Sequence, residues 1–258
     1  MFYLKSFYPA ASVHSDRRRF SSLLTWIIPA MAGLALILAP AWAQESDTQP
    51  APPAESGPGS DQVPSMETIL DRIESRYSGS GFSADFQQES TLAAMDITDT
   101  ASGNLFVKPP DRMRWEYEQP ERQVILTDGK LLWIWRPEDN QVMIGDAPAY
   151  LGAGKGASFL SDIREIRNSF EVSLEPEEEP SSHYRLRLVP KEKAYDIDAV
   201  YLFVSKAAFI VDRVVTHNDY GDITRITLTD YTFDEPLSEE IFDLDVPPGT
   251  DMIEMDGA

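Results

Sequence analysis

The chain has 258 residues, no cysteine, and 43 acidic against 22 basic residues, a formal net charge of −21. Without a thiol it has no disulfides, no thiolate chemistry and no acylated N-terminal cysteine. A charge this negative argues against nucleic-acid binding and against docking on anionic lipid headgroups.

The N-terminal residues 1–43 read as a secretory signal peptide. Arg17, Arg18 and Arg19 form a positive region, Leu23 to Leu38 is an apolar run, and Ala41-Trp42-Ala43 is a small-x-small cleavage site before Gln44. An uncleaved membrane anchor competes, because the run is close to the length that spans a bilayer; Pro40 and the cleavage site favour removal. Arg17-Arg18-Arg19-Phe20 also has some likeness to a twin-arginine export signal, although Asp16 stands where Ser or Thr is usual. Cleavage would leave a soluble protein in an exported compartment. Residues 44–63 are Pro, Ser, Gly, Gln and acid, the composition of a disordered linker. One domain is expected over 64–258, long enough to bury a core without covalent staples.

Met66, Ile69, Leu70, Ile73 and Tyr77 share one face of an amphipathic helix, with Pro64 in its first turn and Gly79–Gly81 at its end. Strands follow. Gly81–Ser90 alternates Phe82, Ala84 and Phe86 with Ser83, Asp85 and Gln87. Three runs are packed into Asn104–Trp135: NLFVKPP, DRMRWEYEQP and RQVILTDGKLLWIWRP. In the second, Met113, Trp115 and Tyr117 alternate with Arg112, Arg114, Glu116 and Glu118, so one face is apolar and the other charged. The third turns back through Asp128-Gly129, a two-residue hairpin signal. Gln141–Gly145 is another strand. Between Ala147 and Phe170 the pattern breaks: APAYLGAGKG is loop-like, with Gly152–Gly156 a mobile hinge. ASFLSDIREIRNSF then forms one or two short helices carrying Phe159, Leu160, Ile163 and Ile166. Strands resume around Tyr184–Leu188, Val200–Val204, Phe209–Thr216 and Thr224–Phe233, with a turn at Asn218–Asp222. The acids of Glu175–Glu179 and Asp243–Asp256 read as solvated loops. The sum is a mostly β chain, roughly ten or eleven antiparallel strands in one strongly curved sheet, with the helices on its concave side.

Catalytic motifs are absent. His183 and His217 lie on strand patterns, no G-x-S-x-G or H-E-x-x-H is present, and the acidic tail lacks EF-hand spacing. No enzyme, metal site or cofactor is therefore expected; an esterase ranks last for want of a visible nucleophile–base pair. The aromatic stripe is either ordinary core or the wall of an apolar ligand cavity. A curved sheet of this size encloses more volume than short helices fill, and glycine-flanked lid candidates favour the cavity.

The order of motifs resembles a known family. Phe82-Ser83-Ala84-Asp85-Phe86-Gln87-Gln88 follows the helix, then come Gly103–Pro110 as G-x-L-x-V-K-x-P, the M-R-W-E-Y strand, Thr127–Trp133 and Pro137–Val142. Together they are similar to LolA, the periplasmic lipoprotein carrier, over about Ser65–Pro248. The resemblance implies an incomplete antiparallel β-barrel closed by short helices over a hydrophobic cavity. It further implies a monomeric periplasmic chaperone that receives lipoprotein acyl chains from a LolCDE-type ABC transporter and passes them to a LolB-type acceptor. The missing acylation cysteine favours the carrier over that acceptor. The lipid-facing residues implied are Ile69, Leu70, Ile73, Phe82, Phe86, Trp115, Tyr117, Trp133, Phe159 and Leu160, with Met113 at the mouth touching the partner. One departure is Lys108-Pro109-Pro110, where the family often has K-R-P and a lid-holding arginine; Arg112 and Arg114 should point away from the cavity. Competing readings are a LolA-like regulator that binds an anti-sigma factor, and a carrier of glycolipid or polyketide lipid.

Overall fold

The computed structural model describes residues 64–151, 157–176, 181–192, 197–233 and 235–255. The expected signal peptide (1–43), linker (44–63) and hinge (Gly152–Gly156) lie outside the described residues.

The first helix, α1, spans Met66–Tyr77. Ser65 is its N-cap, its hydroxyl accepting from the Thr68 N–H at 3.2 Å, so Pro64 precedes the cap rather than sitting in the first turn. Ile69, Leu70, Ile73 and Tyr77 are buried. Full burial of each aliphatic side chain contributes about 1.5–3 kcal/mol.

The strands are β1 (Phe82–Leu92), β2 (Ile97–Lys108), β3 (Arg112–Gln119), β4 (Gln123–Thr127), β5 (Leu131–Arg136), β6 (Gln141–Asp146), β7 (Phe170–Leu174), β8 (His183–Pro190), β9 (Ile197–Ser205), β10 (Val211–Asn218), β11 (Ile223–Thr232) and β12 (Asp251–Glu254). They form one sheet in the order β12-β6-β5-β4-β3-β2-β1-β11-β10-β9-β8-β7, open rather than closed into a barrel. Twelve strands exceed the ten or eleven expected, and the sheet is not wholly antiparallel: β12 runs parallel to β6. The extra strand lies in the acidic tail read as solvated loop. All four of its residues are exposed, and backbone bonds hold it, Met255 N–H to the Ile144 carbonyl at 2.8 Å among them.

Two other local expectations change. The segment APAYL, expected as loop, is the helix α2 (Ala147–Leu151), and α3 is Glu165–Ser169. The β4–β5 connection has three residues, not two. Only Gly129 has positive φ (89°), and the Asp128 carboxylate accepts from the Lys130 and Leu131 N–H groups at 2.8 Å each.

Register divides the sheet into two faces. The inner face carries Phe82, Phe86, Leu105, Trp115, Leu202 and Leu228, which form one continuous core with α1, Phe159, Leu160 and Ile166. At the C-terminal end of α1, Tyr77 donates to the Tyr231 hydroxyl (3.3 Å), Tyr231 donates to the Val211 carbonyl (2.7 Å), and the Val211 N–H donates to Tyr77 (3.0 Å). Burial raises the Tyr77 hydroxyl to about 12. The outer face of β3 is crossed by the chain after β11. Lys108 and Arg112 both pair with Glu239, and Arg114 donates to the Ile241 carbonyl at 2.9 Å.

Candidate functional site

Residues 147–151 and 157–169 lie over one end of the inner face. Ala147 of α2 packs with Leu132 and Ile134, and Phe159, Leu160, Ile163 and Ile166 join the main core. Their turns are tied locally: Ser158 Oγ donates to the Leu151 carbonyl (2.6 Å) and Ser161 Oγ to the Ser158 carbonyl (2.7 Å). Between these residues and the strands is a cavity of about 240 Å³. Met113, Ala147, Leu151, Phe159 and Phe170 give it apolar walls.

Three carboxylates stand at its rim: Asp111 in the β2–β3 turn, with Asp162 and Glu165 on the covering segment. Asp111 has a positive φ of 64° and touches the β4–β5 turn so closely that a Cβ on Gly129 would meet its Cβ at 2.5 Å. Partial desolvation raises the Asp111 carboxyl above 3.8, and the charges of Asp162 and Glu165 raise it further. Hydrogen bonds from Arg164 lower Asp162 instead.

Two cationic contacts fasten α3. Arg167 pairs with Glu67, Asp71 and Glu74, the i, i+4, i+7 stripe of α1. Lys191, after β8, donates to the carbonyls of Arg167 (2.8 Å) and Asn168 (3.1 Å), satisfying the open end of the helix. Arg112 and Arg114 take no part, being engaged with the C-terminal segment on the outer face.

Of the residues expected to face lipid, Phe159 lines the cavity, as does Met113, expected at its mouth. Ile69, Leu70, Ile73, Phe82, Phe86, Trp115 and Leu160 are buried in the adjoining core. The Phe86 ring meets Trp115 and Tyr117 edge-on, each at 4.9 Å between centroids. Tyr117 packs against the core and donates to Gln88 Oε1 at 3.1 Å, and burial pushes its hydroxyl well up. Trp133 is not brought to this face. Register pairs it with Leu126 and Ile144, whereas its neighbour Ile134 pairs with Ile125 and Met143 on the inner side. The sequence reading missed the acidic rim and the Arg167 contacts; Asp111 belongs to a turn, and Arg167 meets partners 93–100 residues away.

A nucleophile–base contact also appears that the sequence did not reveal. Ser182 Oγ lies 2.9 Å from His183 Nδ1, and His183 Nε2 lies 2.6 Å from Asp212 Oδ2. It joins β8 to β10 on the outer face, and neither Ser182 nor His183 lines the cavity. Among the described residues no group of three or more His, Cys, Asp or Glu is placed to hold a metal, and no helix is long and apolar enough to cross a membrane.

Comparison with known proteins adds the family. The chain is 27% identical over 172 residues to an outer-membrane lipoprotein carrier protein of Alkalilimnicola ehrlichii, covering 67% of this chain and 77% of that one. It is 29% identical over 195 residues to the same-named protein of Chromobacterium violaceum, covering 75% and 91%. A crystal structure of a LolA superfamily protein from Nitrosomonas europaea matches with a TM-score of 0.44 at 15% identity, over 70% of this chain and 99% of that one. A family model described as outer membrane lipoprotein carrier protein LolA matches residues 78–245, and the chain belongs to that family.

Proposed function

We propose that this protein is a periplasmic carrier that shields lipoprotein acyl chains between the inner membrane and an outer-membrane acceptor. The observation that carries the reading is the cavity between residues 147–151 and 157–169 and the sheet, continuous at Met113 and Phe159 with an aromatic core. At about 240 Å³ it is smaller than the roughly 300–1,000 Å³ of pockets that hold drug-sized ligands. An acyl chain enters only when the covering segment swings away and Phe159 and Leu160 leave the core. Each buried CH₂ then contributes about 0.8 kcal/mol, so a long chain fully desolvated exceeds about 10 kcal/mol. Reopening the lid and refilling the core oppose that gain, which keeps the cargo releasable. Transfer is directional only if the acceptor binds the chains more strongly than this carrier does.

In this reading residues 1–43 direct export, 44–63 form a linker, and the domain from residue 64 works as a monomer. It takes cargo from a LolCDE-type ABC transporter and delivers it to a LolB-type acceptor. The test is displacement of an apolar fluorophore, bound to the purified protein, by a triacylated lipoprotein. Displacement is expected, with weaker fluorophore binding in Trp115→Glu. The reading fails if the acylated lipoprotein and its unacylated form behave alike.

A further inference from the structure

We propose that the outer face of β8–β11 docks an extended, acidic segment of a partner polypeptide. Register sets two parallel rows across these strands. Arg185, Phe203 and Arg213 form one; Arg187, Tyr201, Val215 and Arg225 form the next. A groove of about 280 Å³ runs between the side chains of these rows, with Arg187 beside it rather than in its lining, and is also lined by His217. Aromatic rings carry the cations: the Arg213 guanidinium is 5.3 Å from the Phe203 centroid, and that of Arg185 is 5.9 Å from Tyr201. Guanidinium groups held over rings lose less freedom on forming ion pairs than arginines roaming in solvent.

The patch is at odds with the rest of the molecule. In a chain of 43 acids and 22 bases, this face concentrates four arginines. Glu175 meets Arg185 and Glu89 meets Arg225, both from outside the four strands. Arg187 and Arg213 have no carboxylate partner among the described residues.

Spacing favours a polypeptide. The rows lie two residues apart along a strand, about 6.6–6.8 Å, the same repeat that separates same-face side chains of an extended peptide. Acids at alternate positions of such a peptide meet successive rows. A single free phosphate is too small to bridge them. A flat anionic bilayer extends beyond this face and meets the −21 charge of the whole chain, whereas one short strand meets the local arginines. The proposal does not depend on what the inner cavity carries.

The experiment titrates the purified mature chain into a fluorescein-labelled peptide of alternating Glu and Ser, with a Gln-Ser peptide and phosphatidylglycerol vesicles as parallel probes. The expected result is salt-sensitive binding of the Glu peptide alone, weakened about tenfold in the double variant Arg187→Ala/Arg213→Ala by loss of two exposed ion pairs. Fluorophore uptake by the inner cavity should not change in that variant. Equal binding of the Glu and Gln peptides, full binding by the double variant, or capture by vesicles in place of peptide would each overturn the proposal. So would a many-fold gain in peptide affinity on neutralising Glu45, Asp47, Glu55 and Asp61, which would make the chain's own acids the occupant.

Discussion

Replacing Arg167 with methionine should loosen the cover of the cavity while leaving the sheet intact. Methionine keeps an apolar stem for packing and removes the guanidinium that joins α3 to Glu67, Asp71 and Glu74. Two of the acids are largely exposed, at 63% and 72%, and each of their pairs is worth about 0.2–1 kcal/mol; Glu74, at 29%, is more sheltered. The three together give about 1–2 kcal/mol, and the variant also leaves three like charges on one stripe of α1 without a counter-ion. That energy corresponds to a shift of about 5–30-fold in the open population of the covering segment. Ile166, which is buried, and Lys191, which caps α3, remain as holds, so the segment should breathe rather than detach. Native-state hydrogen exchange is the assay. Amides of residues 157–169 should exchange about 5–30-fold faster, those of β9–β11 should be unchanged, and high salt should move the wild type part of the way toward the variant. Unchanged exchange in 157–169, or equal acceleration throughout the sheet, would refute the claim that Arg167 holds the cover.

Two further changes probe the frame and the rim. Gly103 lies between Phe86 and Tyr117 in register, and a Cβ there would stand 1.8 Å from the Glu116 carbonyl oxygen. Gly103→Ala must push β2 from β3, and its urea midpoint should report a loss of about 1–3 kcal/mol; a change within experimental error would sink the steric argument. Asp111→Asn addresses pH. Because the folded-state value of Asp111 is raised above 3.8, the folded protein binds that proton more tightly than the unfolded chain, and stability falls as pH rises from 3.8 through the raised value. The variant should lose that part of the pH dependence. Asp162, held below 3.8, acts in the opposite sense: its contribution is present above 3.8 and is lost as pH falls through its lowered value. Urea midpoints followed across both windows would separate the two; an identical slope above 3.8 in wild type and variant would clear Asp111 of any role.

The parts of the fold legible in the sequence are those whose side chains report their surroundings. The alternation around Met113, Trp115 and Tyr117 and the helical stripe of Ile69, Leu70 and Ile73 both reflect burial on one side. β12 was illegible because Asp-Met-Ile-Glu is exposed throughout and held by backbone bonds, which leave no mark on side-chain pattern. Trp133 misled for the opposite reason. Both faces of β5 carry large apolar residues, so aromaticity alone did not tell inner from outer. Met113 and Phe159, which line the cavity, belong to runs whose apolar spacing is readable, whereas the acids of the rim come from a turn and a short covering segment that only the folded chain brings together.

The pairing of β1 with β11 sets a constraint on the order in which the molecule can assemble. Phe86 lies opposite Leu228, and among the described residues this seam is the only ladder that links β1–β6 to β7–β11 in the strand order. A nascent chain that has not yet released residues beyond about Ile223 holds two half-sheets, with β1 and β10 bare-edged and Phe86 without Leu228 opposite it. Such long-range closure is slow, and bare edges invite wrong partners while it is pending. The protein that would shield the greasy segments of others thus passes through a stage in which its own sheet needs shielding.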